Sequence, residues 1–133
     1  MGNPIICVDF DGVIHSYVSG WQGISEINDQ PVPGAIEWLI EHLPIPDAIC
    51  AMAPPHKGPV VQIYSSRSKS FWGRRAMRKY LVKHGLPKAY LEVLKFPIKK
   101  PPAFLTIDDR AICFTGTFPT MEEMMSFKAW NKK

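Results

Sequence analysis

Three short apolar runs, each broken off by polar side chains, constrain this chain more than any other feature. Ile5-Ile6-Cys7-Val8 stops at Asp9, Val60-Val61-Gln62-Ile63-Tyr64 stops at Ser65-Ser66-Arg67, and Phe104-Leu105-Thr106-Ile107 stops at Asp108-Asp109. Short apolar runs rich in β-branched residues read as buried strands of a parallel sheet. Parallel neighbours need long crossovers, and the intervals between the runs carry helical patterns. After Pro33, Ile36, Leu39, Ile40 and Leu43 fall at i, i+3, i+4 and i+7, and Pro44 ends that stripe. From Ser70 to His84, the residues Trp72, Met77, Tyr80, Leu81 and His84 share one side, while Arg74, Arg75, Arg78, Lys79 and Lys83 fill the remainder. Gly85 then supplies a left-handed stop. Leu91–Leu94 and Ile112–Phe114 read as two further short strands, and Thr120-Met121-Glu122-Glu123 as a capping box opening a terminal helix. The expected class is α/β with a mainly parallel sheet. Five prolines between Pro44 and Pro59 make that stretch a loop with at most one helical turn.

At 133 residues the chain is expected to form a single domain spanning 1–133, with no room for a second core. No apolar run approaches the ~20 residues that a membrane helix requires. Asp9 interrupts the first apolar run too early for a signal peptide, and Pro4 and Ile6 fit poorly with acylation at Met1-Gly2. Three widely spread cysteines, Cys7, Cys50 and Cys113, point to a reducing, cytoplasmic setting. They and the four histidines (His15, His42, His56, His84) show no zinc-ligand spacing. No Walker A sequence is present.

In open α/β sheets, ligands bind at the carboxyl ends of the strands. Asp9, Asp11, Ser65, Asp108 and Asp109 stand at those ends. Four carboxylates on two loops repel one another unless a cation lies among them, and hard oxygen ligands suit Mg²⁺. Helix caps and solvated turn residues are the plainer alternative.

In order along the chain, these residues resemble the four motifs of the haloacid dehalogenase superfamily. Val8-Asp9-Phe10-Asp11-Gly12-Val13 is similar to its first motif and Ile63-Tyr64-Ser65 to its second. Lys100 before Pro101-Pro102-Ala103 resembles the motif-three lysine, and Ile107-Asp108-Asp109 resembles the fourth motif. The ordered set spans about residues 5 to 114 and looks most like small capless hydrolases of bacteria and their phages. The resemblance implies a three-layer α/β/α Rossmann-like fold and a Mg²⁺-dependent phosphatase. Asp9 would be the nucleophile of an aspartyl-phosphate route, and Asp11 the acid and base. Ser65 would bind phosphoryl oxygens, and Lys100 (or the adjacent Lys99) would offset charge. Asp9, the Asp11 backbone carbonyl, Asp108 and Asp109 would hold the metal.

Neither interval between motifs is long enough for a separate cap domain, so the site is expected to be open. Trp21, in the flap His15–Gly23, is a candidate substrate contact, with packing of the flap as its alternative. Arg67 is a candidate second anion contact. Eleven of the sixteen Lys/Arg lie between Arg67 and Lys100, with Glu92 the one acid among them. That asymmetry attracts anions. On a helix, Arg74, Arg75, Arg78 and Lys79 cluster on about one face, which can follow a phosphate backbone. The net charge of only +4 and the lack of a nucleic-acid-binding motif rank a small phosphorylated metabolite or nucleotide first. A polynucleotide-end phosphatase comes second, and a non-catalytic phosphate-binding module third.

Overall fold

The computed structural model describes residues 3–132; Met1-Gly2, where the acylation question arises, lie outside them. The elements run β1 (Ile5–Val8), α1 (Ala35–His42), β2 (Val60–Ile63), α2 (Phe71–Lys83), β3 (Leu105–Ile107) and α3 (Met121–Met125). The sheet has the order β2-β1-β3, all parallel. Val8 pairs with both Ile63 and Ile107, so the three strands end level. The Asp9 N–H continues the ladder to the Ile107 carbonyl at 2.9 Å, and the Tyr64 N–H reaches Val8 at 3.1 Å. Level strand ends are what bring Asp9, Ser65 and Asp108 to one edge.

Alternation along the strands puts Ile6, Val8, Val61 and Ile63 on one face. There they share a core with Ile36 and Leu39 of α1, with Leu43, and with Met77, Tyr80 and Leu81 of α2. Each such side chain contributes about 1.5–3 kcal/mol on burial. Trp72 leaves the apolar side expected of it and stands 58% exposed. Gly73 takes the inner place beside it. A Cβ there would collide with the backbone carbonyl of Arg67, so only glycine lets α2 lie against the preceding 3₁₀ turn, Ser66–Lys69.

Three expected elements differ. Residues Lys88–Glu92 form a 3₁₀ turn after Pro87, and Leu91–Leu94 forms no strand; a parallel bridge joins Gln62 to Lys95, just beyond it. Ile112–Phe114 forms no strand, because those side chains are exposed and no ladder neighbour lies beside them. The terminal helix is five residues long and fully exposed, with no core face to extend it. The architecture is thus mixed α/β with a small parallel sheet. Among the described residues no helix is long and apolar enough to cross a membrane.

Candidate functional site

Asp9 leaves the end of β1, and its carboxylate accepts the Phe10 N–H at 2.8 Å. Asp108 and Asp109 leave the end of β3 beside it. Each of the three carboxylates offers an oxygen within 4.8 Å of the others. Asp109 is the tightest of them: its side chain is 1% exposed, and neither oxygen has a hydrogen-bond partner. Arg110 Nε, from an exposed side chain, lies 3.5 Å from Oδ2, and the Asp9 carboxyl in its protonated form can donate to Asp109. Gly12 makes room for this carboxylate. Its φ is 88°, and a Cβ there would overlap the Asp109 carboxyl group. Burial pushes the Asp9 carboxyl up to about 8; the Phe10 N–H opposes this, while Asp108 and Asp109 add to it. Asp108 is exposed and accepts the Arg110 N–H at 2.9 Å, so the buried Asp109 oxygens, with Asp9 and Asp108 at this spacing, are what fit a hard divalent cation, whose charge reverses that penalty.

A cavity of about 210 Å³ opens beside the cluster, lined by Cys7, Asp9, Tyr64, Ser65, Ser66, Lys100, Thr106 and Asp108. Four residues singled out from sequence, Asp9, Ser65, Lys100 and Asp108, therefore converge from four separate segments. Lys100 lines this space and Lys99 does not. The Ser65 hydroxyl is also a cap. It accepts the Arg67 N–H at 3.0 Å and points at the Met77 sulfur at 3.7 Å, while the Ser65 N–H donates to Ser68 Oγ at 2.9 Å.

The Asp11 side chain belongs to neither the carboxylate cluster nor the cavity lining. It accepts Arg67 Nε at 2.9 and 3.2 Å and meets His15 Nδ1 at 2.9 Å. Arg67 corrects an expectation: it is completely buried and cannot meet a substrate anion. Its Nη1 donates to the Gly23 and Ile24 carbonyls, both at 2.8 Å, and its Nη2 to Glu26 at 3.2 Å. These carbonyls lie at and just beyond the end of the flap; Gly23 also accepts the Glu26 N–H at 3.2 Å, and a planar fork of donors satisfies several at once. Trp21 lies over the guanidinium, 4.6 Å from its carbon to the ring centroid. One ring face of Trp21 is thus committed to packing the flap.

Two features escaped the sequence reading. His15 is 1% exposed. Its Nε2 accepts the Asp29 N–H at 3.1 Å, which puts the ring proton on Nδ1, toward Asp11. The rings of Tyr80, Tyr17 and Phe10 surround it. Its place four residues after Asp11, across the Gly12 turn, was the available signal. The C-terminal segment also returns to this loop: Trp130 Nε1 donates to the Gly12 carbonyl at 2.6 Å and Asn131 Nδ2 to Ser16 at 3.0 Å. No local pattern announces such a long-range contact. The expected basic stripe on α2 is also divided. Arg74 donates to the Ser68 carbonyl at 2.7 Å, whereas Arg75, Lys79 and Lys83 line a cleft and, with Lys88 and with Arg78 over Phe96, also a second groove.

Comparison of the chain with protein-family models, with curated proteins and with solved structures returns no match.

Proposed function

We propose that the protein is a cytoplasmic, Mg²⁺-dependent phosphomonoester hydrolase of the capless haloacid dehalogenase type, working through an aspartyl-phosphate on Asp9. The observation that carries this reading is the convergence of Asp9, Ser65, Lys100 and Asp108 on one cavity, with the unpartnered Asp109 carboxylate beside it. Asp9, Asp108 and Asp109, with the Asp11 backbone carbonyl, would hold Mg²⁺, which supplies positive charge against the phosphoryl oxygens.

In this reading an Asp9 carboxylate oxygen forms a bond to phosphorus as the bond to the leaving oxygen breaks. The leaving oxygen keeps the electron pair and takes a proton from Asp11. Water then attacks the aspartyl-phosphate, gives its proton to Asp11 and releases inorganic phosphate. To serve both steps the Asp11 carboxyl turns from Arg67 and His15 toward the cavity. Lys100 offsets charge on the phosphoryl group, and Ser65 donates to one of its oxygens. Without a cap domain the site admits a small phosphorylated metabolite or nucleotide directly, and leaves room for something larger.

Hydrolysis of p-nitrophenyl phosphate tests this. EDTA should lower the rate at least about a hundredfold, and added Mg²⁺ should restore it. Asp108→Asn should remove the response to Mg²⁺. Turnover indifferent to EDTA and to Mg²⁺ would contradict the metal assignment. Phosphate binding with no turnover in any buffer would point instead to a non-catalytic phosphate-binding module.

A further inference from the structure

We propose that the cleft between α2 and residues 25–28 binds single-stranded nucleic acid, and that the phosphomonoester substrate is the phosphorylated end of such a strand. The second half rests on the phosphatase reading above; the first does not.

The cleft has a volume of about 360 Å³, with Asn28 and Ile27 on one wall and Trp72, Arg75, Lys79 and Lys83 on the other. Arg75, Lys79 and Lys83 recur every four residues, which places the cations about 6 Å apart in a row along one helix face. No carboxylate lines the cleft. Among the described residues, none of the three cations forms an ion pair with a carboxylate. A row of unneutralised charge beside a cleft selects an extended polyanion over a single phosphate.

The aromatic end identifies which polyanion. Trp72 and Phe71 are 58% and 59% exposed and meet edge to face, 5.1 Å between centroids. Arg75 extends over the Trp72 ring. The indole face away from Arg75 is a stacking platform in front of a cationic row, and every unpaired base has faces free to place on it. A duplex hides all but its terminal base faces, and an acidic peptide makes no comparable use of the ring. Trp72 lies at the start of α2, one short turn after Ser65 in the chain, and Lys83 lies about 16 Å farther along the helix. The substrate half requires a strand in the cleft to run from Lys83 past Trp72 toward Asp9.

Fluorescence anisotropy with a labelled oligothymidylate of about twelve nucleotides, bearing hydroxyl ends and no reacting phosphate, reads the cleft without catalysis. Between about 50 and 200 mM KCl, the plot of log K against log [KCl] should have a slope of about −2, from three cations on a single strand. The triple variant R75Q/K79Q/K83Q should lose most of that slope and at least tenfold in affinity. Trp72→Ala should lose about 5- to 100-fold in affinity and keep the slope. Neither variant should change turnover of p-nitrophenyl phosphate, because none of the four residues lines the phosphoryl cavity. On the same oligonucleotide with a terminal phosphate, kcat/KM should fall in parallel with affinity.

Absent binding, or binding unchanged in the triple variant, would overturn the cleft assignment. Tighter binding to a blunt duplex, or to phosphatidylglycerol vesicles, would overturn the single-strand assignment. Hydrolysis of p-nitrophenyl phosphate without hydrolysis of the bound, phosphorylated strand would overturn the substrate half. Strand binding through the cleft with neither substrate hydrolysed would support the cleft and count against the phosphatase reading alone.

Discussion

Asp9→Asn is expected to lower kcat/KM for an aryl phosphate by at least about 10⁴-fold while leaving the chain folded, because the amide cannot form the covalent intermediate. The same change should stabilise the metal-free protein. In the fold, burial first, then Asp108 and Asp109, push the Asp9 carboxyl up to about 8 from its ordinary 3.8. A carboxyl raised in this way stabilises the fold fully below its unfolded value, and that stability drains away as pH climbs toward the folded value. Asn carries no such penalty. Thermal midpoints in EDTA should therefore favour the variant, by a margin that widens from about pH 5 to about pH 8. With Mg²⁺ present the order should reverse, since the wild-type carboxylate then has its counter-charge. A variant that kept wild-type turnover would remove Asp9 from the role of nucleophile.

The second large effect is on stability. Arg67→Met is expected to cost about 3–5 kcal/mol, the usual loss when one partner of a buried ion pair is removed. It leaves the Asp11 carboxylate, which is only 12% exposed, without its guanidinium, and takes a donor from the Ile24 and Glu26 carbonyls and one of two from Gly23, which keeps the Glu26 N–H. Urea unfolding reads the cost directly, and the thermal midpoint should fall by more than about 10 °C. Arg67→Lys should recover only part of it, because an ammonium cannot span Asp11 and three carbonyls in one plane. Unchanged stability with a raised KM would instead return Arg67 to the role of an anion contact.

Much of this was readable from the residues, for identifiable reasons. The strand ends at Asp9, Ser65 and Asp108 were legible because parallel strands put local apolar runs directly before polar side chains, and the structure adds their level register. The convergence of Lys100 on the same cavity was legible only through motif order, since its own element is a loop. The inner pairings were not legible. Arg67 looks, in sequence, like any arginine beyond a strand; its burial depends on carbonyls at and just beyond the end of the flap, some forty residues earlier, with separations of 41 to 44. His15 is buried by rings from Phe10, Tyr17 and Tyr80, and the last of these arrives only when α2 packs. Trp72 matches the helical period of the core, but the close approach of Gly73 to the Arg67 backbone turns the indole outward. Period alone gives a face, whereas neighbouring backbone decides which residue on that face is admitted.

The covalent intermediate is the central claim, and chemical trapping tests it most directly. Wild-type protein would be mixed with Mg²⁺ and a slowly turned-over aryl phosphate, quenched in acid during turnover, and reduced with borohydride. An aspartyl-phosphate is reduced at its acyl carbon to homoserine with release of phosphate, and peptide mass spectrometry locates the product. The account predicts homoserine at position 9, dependent on substrate and on Mg²⁺, and absent when substrate is omitted. Steady release of phosphate with Asp9 unmodified throughout, or homoserine at Asp11, Asp108 or Asp109 instead, would contradict it.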